Sequence, residues 1–223
     1  ELMSGLGNLA EEYSVPVQSH LSENHGEIDW VAALHPEAAN YTDVYYEHHL
    51  MGKVPTVMAH CIHLSDVEMD RMAETQTMVS HCPYSNVNLS SGIAPIRKLF
   101  ERKIPIGLGS DISGGHIVSM AKVLTEAIGL SKMKWVEVDQ TYAPLTLSEA
   151  FYMATKGGGK FFGKVGSFEK GCELDALVID DTTLFDPNER SLEERLERWL
   201  YVGDDRHIVE RYVAGKVASE PMH

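Results

Sequence analysis

Positive charge is scarce in this chain. Its 223 residues carry 19 Lys and Arg against 33 Asp and Glu, a formal net charge of −14 at pH 7. Nucleic acid and anionic membrane both require a concentrated basic surface, so this balance argues against either as a partner. Cysteine is equally sparse. Cys61, Cys82 and Cys172 are odd in number and widely spaced, which argues against a disulfide framework and for a reducing, cytoplasmic compartment. No apolar run approaches the ~18 residues that a bilayer span needs. Internal repeats and low-complexity segments are missing as well, and the 43% hydrophobic content is that of a globular protein. The chain opens at Glu1 inside a helical pattern, with Leu2, Leu6, Leu9 and Tyr13 on one stripe of residues 1–14, and no leader pattern follows. A sequence that starts in mid-pattern is expected to belong to a longer one.

What is present is histidine, eleven in all, set in an α/β pattern. Short Val- and Ile-rich runs at 15–20, 55–60, 77–81 and 104–109 alternate with helical stretches. Each run ends in, or leads into, a chemically capable residue: His20, His60, His81 and Asp111. Parallel α/β folds bind ligands at the carboxyl ends of their strands, so these four residues are the natural candidates for a site. Capping boxes at Ser65–Glu68, Thr146–Glu149 and Ser191–Glu194 open helices. Another helix is read at 119–130, and Gly157–Gly159 stop the one begun at Thr146. From Gly166 onward the texture turns to short strands, 174–179 and 208–217, separated by glycine turns.

The expected fold class is α/β. Residues 1–165 read as part of a (β/α) barrel, and residues 166–223 as a β-rich segment with a capped helix. Four strands are half of an eight-stranded barrel, which needs ~250 residues. The second half of a TIM-like (β/α)8 barrel with a small C-terminal β-rich appendage is therefore expected.

His20-Leu21-Ser22-Glu23 supplies a strand-end imidazole and, three residues on, a carboxylate able to take a proton from metal-activated water. Alone, that spacing is common by chance and describes equally a strand-end histidine beside a solvated acid. His60 and Asp111, each one or two βα units further on, strengthen it. Asp111 is flanked by Gly107, Gly109, Gly114 and Gly115, which let backbone crowd a ligand, although a helix N-cap would also suit such an Asp. His81 is read as a pocket wall and Cys82 as a buried, inert thiol. His48, His49 and His63 read as surface or loop residues, and His25, His35 and His116 receive no role. Gly158–Val165 falls short of a phosphate loop: Val165 stands where Ser or Thr is required and two phenylalanines intervene. No nucleophile-elbow pattern supports a Ser or Cys nucleophile.

Together these residues resemble the amidohydrolase superfamily and, within it, the zinc-dependent guanine deaminase branch. The matching stretches are Gln18–Asn24, Met58–His60, Ser80–Asn86 with Leu89–Gly92, Gly107–Asp111 with Gly114-Gly115, Gly203–Arg206 and Val213–Lys216. The resemblance implies that residues 1–165 belong to a metal-dependent hydrolase barrel and residues 166–223 to a composite small domain. It implies that His20 and Asp111 bind zinc from the fifth and eighth barrel strands, that Glu23 shuttles protons, and that His60 orients the attacking water. The same resemblance makes Asp111 catalytic as well, accepting a hydrogen bond that aims the hydroxide. It implies hydrolysis of guanine to xanthine and ammonia by a homodimer. Ser110 stands where the branch usually has Thr. The His-x-His pair of the first barrel strand and the arginine-bearing loop that holds the purine have no counterpart here. Two ligands are fewer than the three or four of a catalytic zinc site. These residues alone are therefore expected to bind zinc weakly and to turn over little. Two alternatives stand beside this reading: another amino- or chloro-substituted heterocycle as substrate, and a non-catalytic half-barrel serving as a dimerisation or regulatory partner.

Overall fold

The structure, a computed structural model, describes residues 1–218. Helix α1 (Leu2–Tyr13) leads into strand β1 (Val17–Leu21); α2 (His25–Leu34) and α3 (Tyr41–Glu47) follow, then β2 (Thr56–His60). After β2 come α4 (Asp66–Thr75), β3 (Met78–His81), α5 (Pro83–Asn88), α6 (Ile96–Glu101) and β4 (Ile106–Leu108). The long α7 (Met120–Glu137) and the short α8 (Leu147–Tyr152), which runs into a π-helical turn at Met153–Gly157, complete this part. The four strands form one sheet in the order β1-β2-β3-β4, parallel throughout, with His20 beside Ala59, Leu21 beside His60 and Ser80 beside Gly107. Each strand lies within, or one residue beyond, its expected run, because β-branched residues bounded by Pro, Gly and helix caps leave little freedom in the boundaries.

Parallel pairing makes every connection return over a face of the sheet, and the helices bury that face. Leu21, Met58, Val79 and Ile106 from the strands meet Met69, Met72, Leu99, Leu124, Ile128 and Met153 in one core. The capping boxes of α4 and α8 are both formed, each with reciprocal side-chain and main-chain bonds. Close approach between α8 and the sheet depends on glycine. A Cβ on Gly107 would lie 2.9 Å from the Gly158 Cα, and one on Gly157 would lie 2.8 Å from the Ile106 carbonyl oxygen.

Two elements differ from the sequence expectation. The Leu2, Leu6, Leu9 and Tyr13 stripe of α1 faces outward, at 76, 49, 50 and 66% exposure, while Gly7 and Ala10 are buried. Gly7 presses against the His48 main chain where no Cβ fits, and Ser4 Oγ pairs with His48 Nδ1 at 2.9 Å. Small residues therefore set this contact, rather than the leucines. Helix α7 runs seven residues past Leu130, since only a mid-helix Gly129 interrupts a stretch of good helix formers.

The C-terminal part contains β5 (Ala176–Ile179), α9 (Leu192–Val202), a 3-10 turn (Asp205–His207), β6 (Ile208–Val213) and β7 (Lys216–Val217), with an antiparallel sheet in the order β5-β6-β7. Helix α9 packs on α7, and Trp199 and Leu200 enter the main core. Leu177, Val178, Val209, Val213 and Val217 of the small sheet are exposed. Among the described residues no helix is long and apolar enough to cross a membrane.

Gly107→Ala is expected to push the α8 turn off the sheet and destabilise the fold by about 1–3 kcal/mol, read as a lower urea midpoint at unchanged slope.

Candidate metal centre

The parallel register brings three strand ends to one rim, and the backbone bends sharply there. Ser22, His60, Cys61 and Asp111 all adopt positive φ, at 50°, 69°, 53° and 45°. Such left-handed backbone is costly for residues with a Cβ and persists only where surrounding bonds enforce it. Here the Cys61 N–H donates to the Leu21 carbonyl at 2.9 Å, and the Ile62 and His63 N–H groups both donate to the Ser22 carbonyl at 3.1 Å. The ends of β1 and β2 are thereby laced together beyond the last ladder pair.

His20, His60 and Asp111 each present one ligand atom, and the three atoms lie within 4.8 Å of one another. The His20 and His60 rings stack with centroids 5.4 Å apart and 22° between their planes. His60 is 1% exposed, and its Nδ1 lies 2.9 Å from the Asn86 side-chain oxygen. An amide oxygen only accepts, so Nδ1 carries a proton and donates it to Asn86, and Nε2 is the nitrogen left to face the rim. That Nε2 faces two carboxylates, Glu23 Oε2 at 3.7 Å and Asp111 Oδ2 at 4.0 Å. Two imidazoles and two carboxylates on one rim form an anionic, nitrogen-and-oxygen pocket suited to a divalent cation such as zinc.

Glu23 sits in the turn before α2. Its N–H donates to Glu27 Oε2 at 2.8 Å, the Asn24 side chain caps the helix at Glu27, and the Tyr41 hydroxyl donates to Glu27 Oε1 at 2.9 Å. Burial, with help from Tyr45, pushes the Tyr41 phenol well above its ordinary range, so it remains a donor. The Glu23 carboxylate accepts from Ser91 Oγ at 2.9 Å. Around Asp111 the glycines leave no room to spare: a Cβ on Gly114 would lie 2.7 Å from Asp111 Oδ2 and 2.7 Å from Ser85 Oγ. The Gly115 N–H closes the turn onto the Asp111 carbonyl at 2.6 Å.

Of the sequence candidates, His20, Glu23, His60 and Asp111 come together. His81 does not join them. One residue beyond Ser80, it lines a separate cavity of about 50 Å³ walled by Ile93–Lys98, α7 and the 139–145 loop. Burial there, with the His60 imidazole close by, lowers its pKa to about 4. Burial first pushes the neighbouring Cys82 thiol up to about 11, which keeps it protonated. His63 lies in the loop after β2, as read, and is held there: its Nε2 donates to the Ser91 carbonyl at 2.7 Å, and its ring lies 4.1 Å from that of His25. His48 pairs with Ser4, His49 lies 3.9 Å from Glu11, and His116 meets the Tyr84 ring edge-on. Sequence reading assigned no role to Asn86 or Ser91. Both stand in the Ser- and Asn-rich run after His81, Asn86 within the short helix α5 and Ser91 in the loop just past it, and neither a six-residue helix nor a loop leaves a periodic signal.

Known proteins resemble the chain over most of its length. The amidohydrolase family pattern matches residues 1–218. The guanine deaminase of Dictyostelium discoideum is 42% identical over 222 residues, covering 96% of this chain and 49% of that protein. The Escherichia coli K12 guanine deaminase is 38% identical over 229 residues, covering 99% and 50%. The crystal structure of guanine deaminase from C. acetobutylicum with guanine bound in its active site superposes with a TM-score of 0.94 at 52% identity, covering 97% of this chain and 51% of that one. The chain thus spans about half the length of the relatives it matches.

Gly114→Ala is expected to displace Asp111 and to weaken zinc binding by about 10–100-fold, measured by competition with a chromophoric chelator. A second expectation concerns acid stability. The unfolded chain protonates His81 near pH 6.5 whereas the folded one does so only near 4, so stability falls as pH drops through that window. In His81→Gln the urea midpoint should lose less between pH 6.5 and 4 than it does in the parent.

Proposed function

The chain belongs to the amidohydrolase family, and on that premise we propose that its site serves the zinc-dependent hydrolytic deamination of guanine to xanthine and ammonia. The observation that carries the proposal is the convergence of His20, His60 and Asp111 from three strand ends, with Glu23 3.7 Å from His60 Nε2. The guanine deaminases among the relatives support the choice of substrate.

In this reading His20 and Asp111 hold the zinc, whose donor chemistry their imidazole and carboxylate suit and whose place the glycine at 114 leaves clear. When bound, zinc supplies a Lewis acid that lets water ionise near neutral pH. His60, with its proton fixed on Nδ1 by Asn86, offers Nε2 as an acceptor that aims the attacking water at the amine-bearing ring carbon. Glu23 takes one proton from the attacking water and passes it to a ring nitrogen. It then takes the remaining hydroxyl proton and passes it to the amine, which departs as ammonia as the new ring carbonyl forms. Its position beside His60 and its hydrogen bond from Ser91 keep the carboxylate within reach of both water and purine.

Two zinc ligands from this chain fall short of the three or four that catalysis requires. We therefore read β1–β4 as the second half of a (β/α)8 barrel, with the remaining ligands and the purine-holding loop supplied by residues outside these 223. The small β5–β7 sheet then belongs to a composite domain, and its exposed apolar positions favour further pairing. Cytoplasmic residence, supported by three unpaired cysteines, and a homodimer, supported by the guanine deaminase resemblance, complete the proposal.

With the full protein, guanine loss is followed by ultraviolet absorbance alongside adenine, cytosine and triazine substrates. Guanine is expected to be preferred, and Glu23→Gln should lower kcat by about 10²–10⁴ with the zinc content unchanged. Preference for another heterocycle would reassign the substrate. Absence of stoichiometric zinc, with no effect from Glu23→Gln, would instead favour the non-catalytic reading.

A further inference from the structure

Glu23 reaches the site from a turn, and a glutamate side chain with three rotatable bonds does not hold one place unaided. Its main chain is anchored by Glu27. Among the described residues its carboxylate has one hydrogen bond, from Ser91 Oγ to Oε1 at 2.9 Å, across 68 positions of sequence. Ser91 is 6% exposed and is itself held from both sides. Its N–H donates to the Asn86 carbonyl at 2.8 Å, the Gly92 N–H reaches the same carbonyl at 3.4 Å, and its own carbonyl accepts from His63 Nε2 at 2.7 Å. Gly92 has φ +130°, and a Cβ there would lie 3.1 Å from Ile62 and 3.3 Å from His63, so the turn closes tightly on its brace. The side chain of the same Asn86 holds His60 Nδ1.

We infer that Ser91 is a positioning residue for Glu23, braced by His63, and that the Asn86–Gly92 turn sets Glu23 and His60 in register with each other. Neither Ser91 nor His63 needs to touch substrate. One fixes the rotamer of the carboxylate that carries protons, and the other fixes the peptide from which Ser91 projects. The inference rests on the reading of Glu23 as the proton carrier.

The test compares Ser91→Ala with Ser91→Thr in the full protein. Crystal structures of the zinc-free variants should show the Glu23 carboxylate moved or spread over several rotamers in Ser91→Ala and retained in Ser91→Thr. On guanine, Ser91→Ala should lose about 10–100-fold in kcat, with KM within about twofold and zinc content unchanged, while Ser91→Thr recovers most of the rate. An unmoved Glu23 in Ser91→Ala, or equal losses in two folded variants, would overturn the inference. Should Ser91→Ala fail to fold, Ser91→Cys keeps the volume while weakening the donor, and the same readings decide. The rotamer reading needs no turnover, so a parent protein inactive on guanine would sink the proposed function and leave this inference to the crystal structures.

Discussion

Left-handed backbone at the end of β2 is the constraint on which the rest of the site depends. His60 and Cys61 adopt it in succession, at a cost of about 1–3 kcal/mol for each such residue. The main-chain bonds to Leu21 and Ser22 offset that cost and tie β2 to β1 at the height where His20 and Glu23 emerge. A regular strand would have carried His60 onward in the pleat. The bend turns it back beneath Glu23 and Asp111, where a buried ring with one nitrogen committed to Asn86 has one nitrogen left for chemistry. Asp111 repeats the device three residues past the end of β4, so two of the three converging groups have the same left-handed backbone.

What the sequence disclosed followed from short-range rules. Strands bounded by Pro and Gly, Ser and Thr caps answered by Glu three residues on, and glycines flanking Asp111 each act over a few residues, and each is found in the fold. The gathering of His20, Glu23, His60 and Asp111 was legible because a parallel sheet sends all its strand ends to one rim. His81 misleads for a related reason. It also ends a strand, but side chains alternate across a sheet, and the one-residue step from Ser80 sends it among the helices.

Other features were illegible because they depend on distant partners. Nothing local says that the small face of α1 would be buried and its leucines left outward, since the His48 main chain that meets Gly7 caps α3, three elements along. Asn86 and Ser91 have the same property. Each is an ordinary polar residue until the fold places it against His60 or Glu23, and each then limits the freedom of a group whose own identity was plain.

The π-helical turn at Met153–Gly157 has a consequence of a different kind. Such a turn holds one residue more than an α-helical turn, and that extra residue decides which way Gly157, Gly158 and Gly159 point. Two of the three meet the sheet, at Ile106 and Gly107. The contact is therefore a matter of counting as much as of composition. Removing Ala154, Thr155 or Lys156 from the turn would leave a helix with every glycine still present and the bare face rotated away from β4. In this stretch length is under tighter constraint than most of the side chains, and divergence should proceed by substitution while insertions and deletions are excluded.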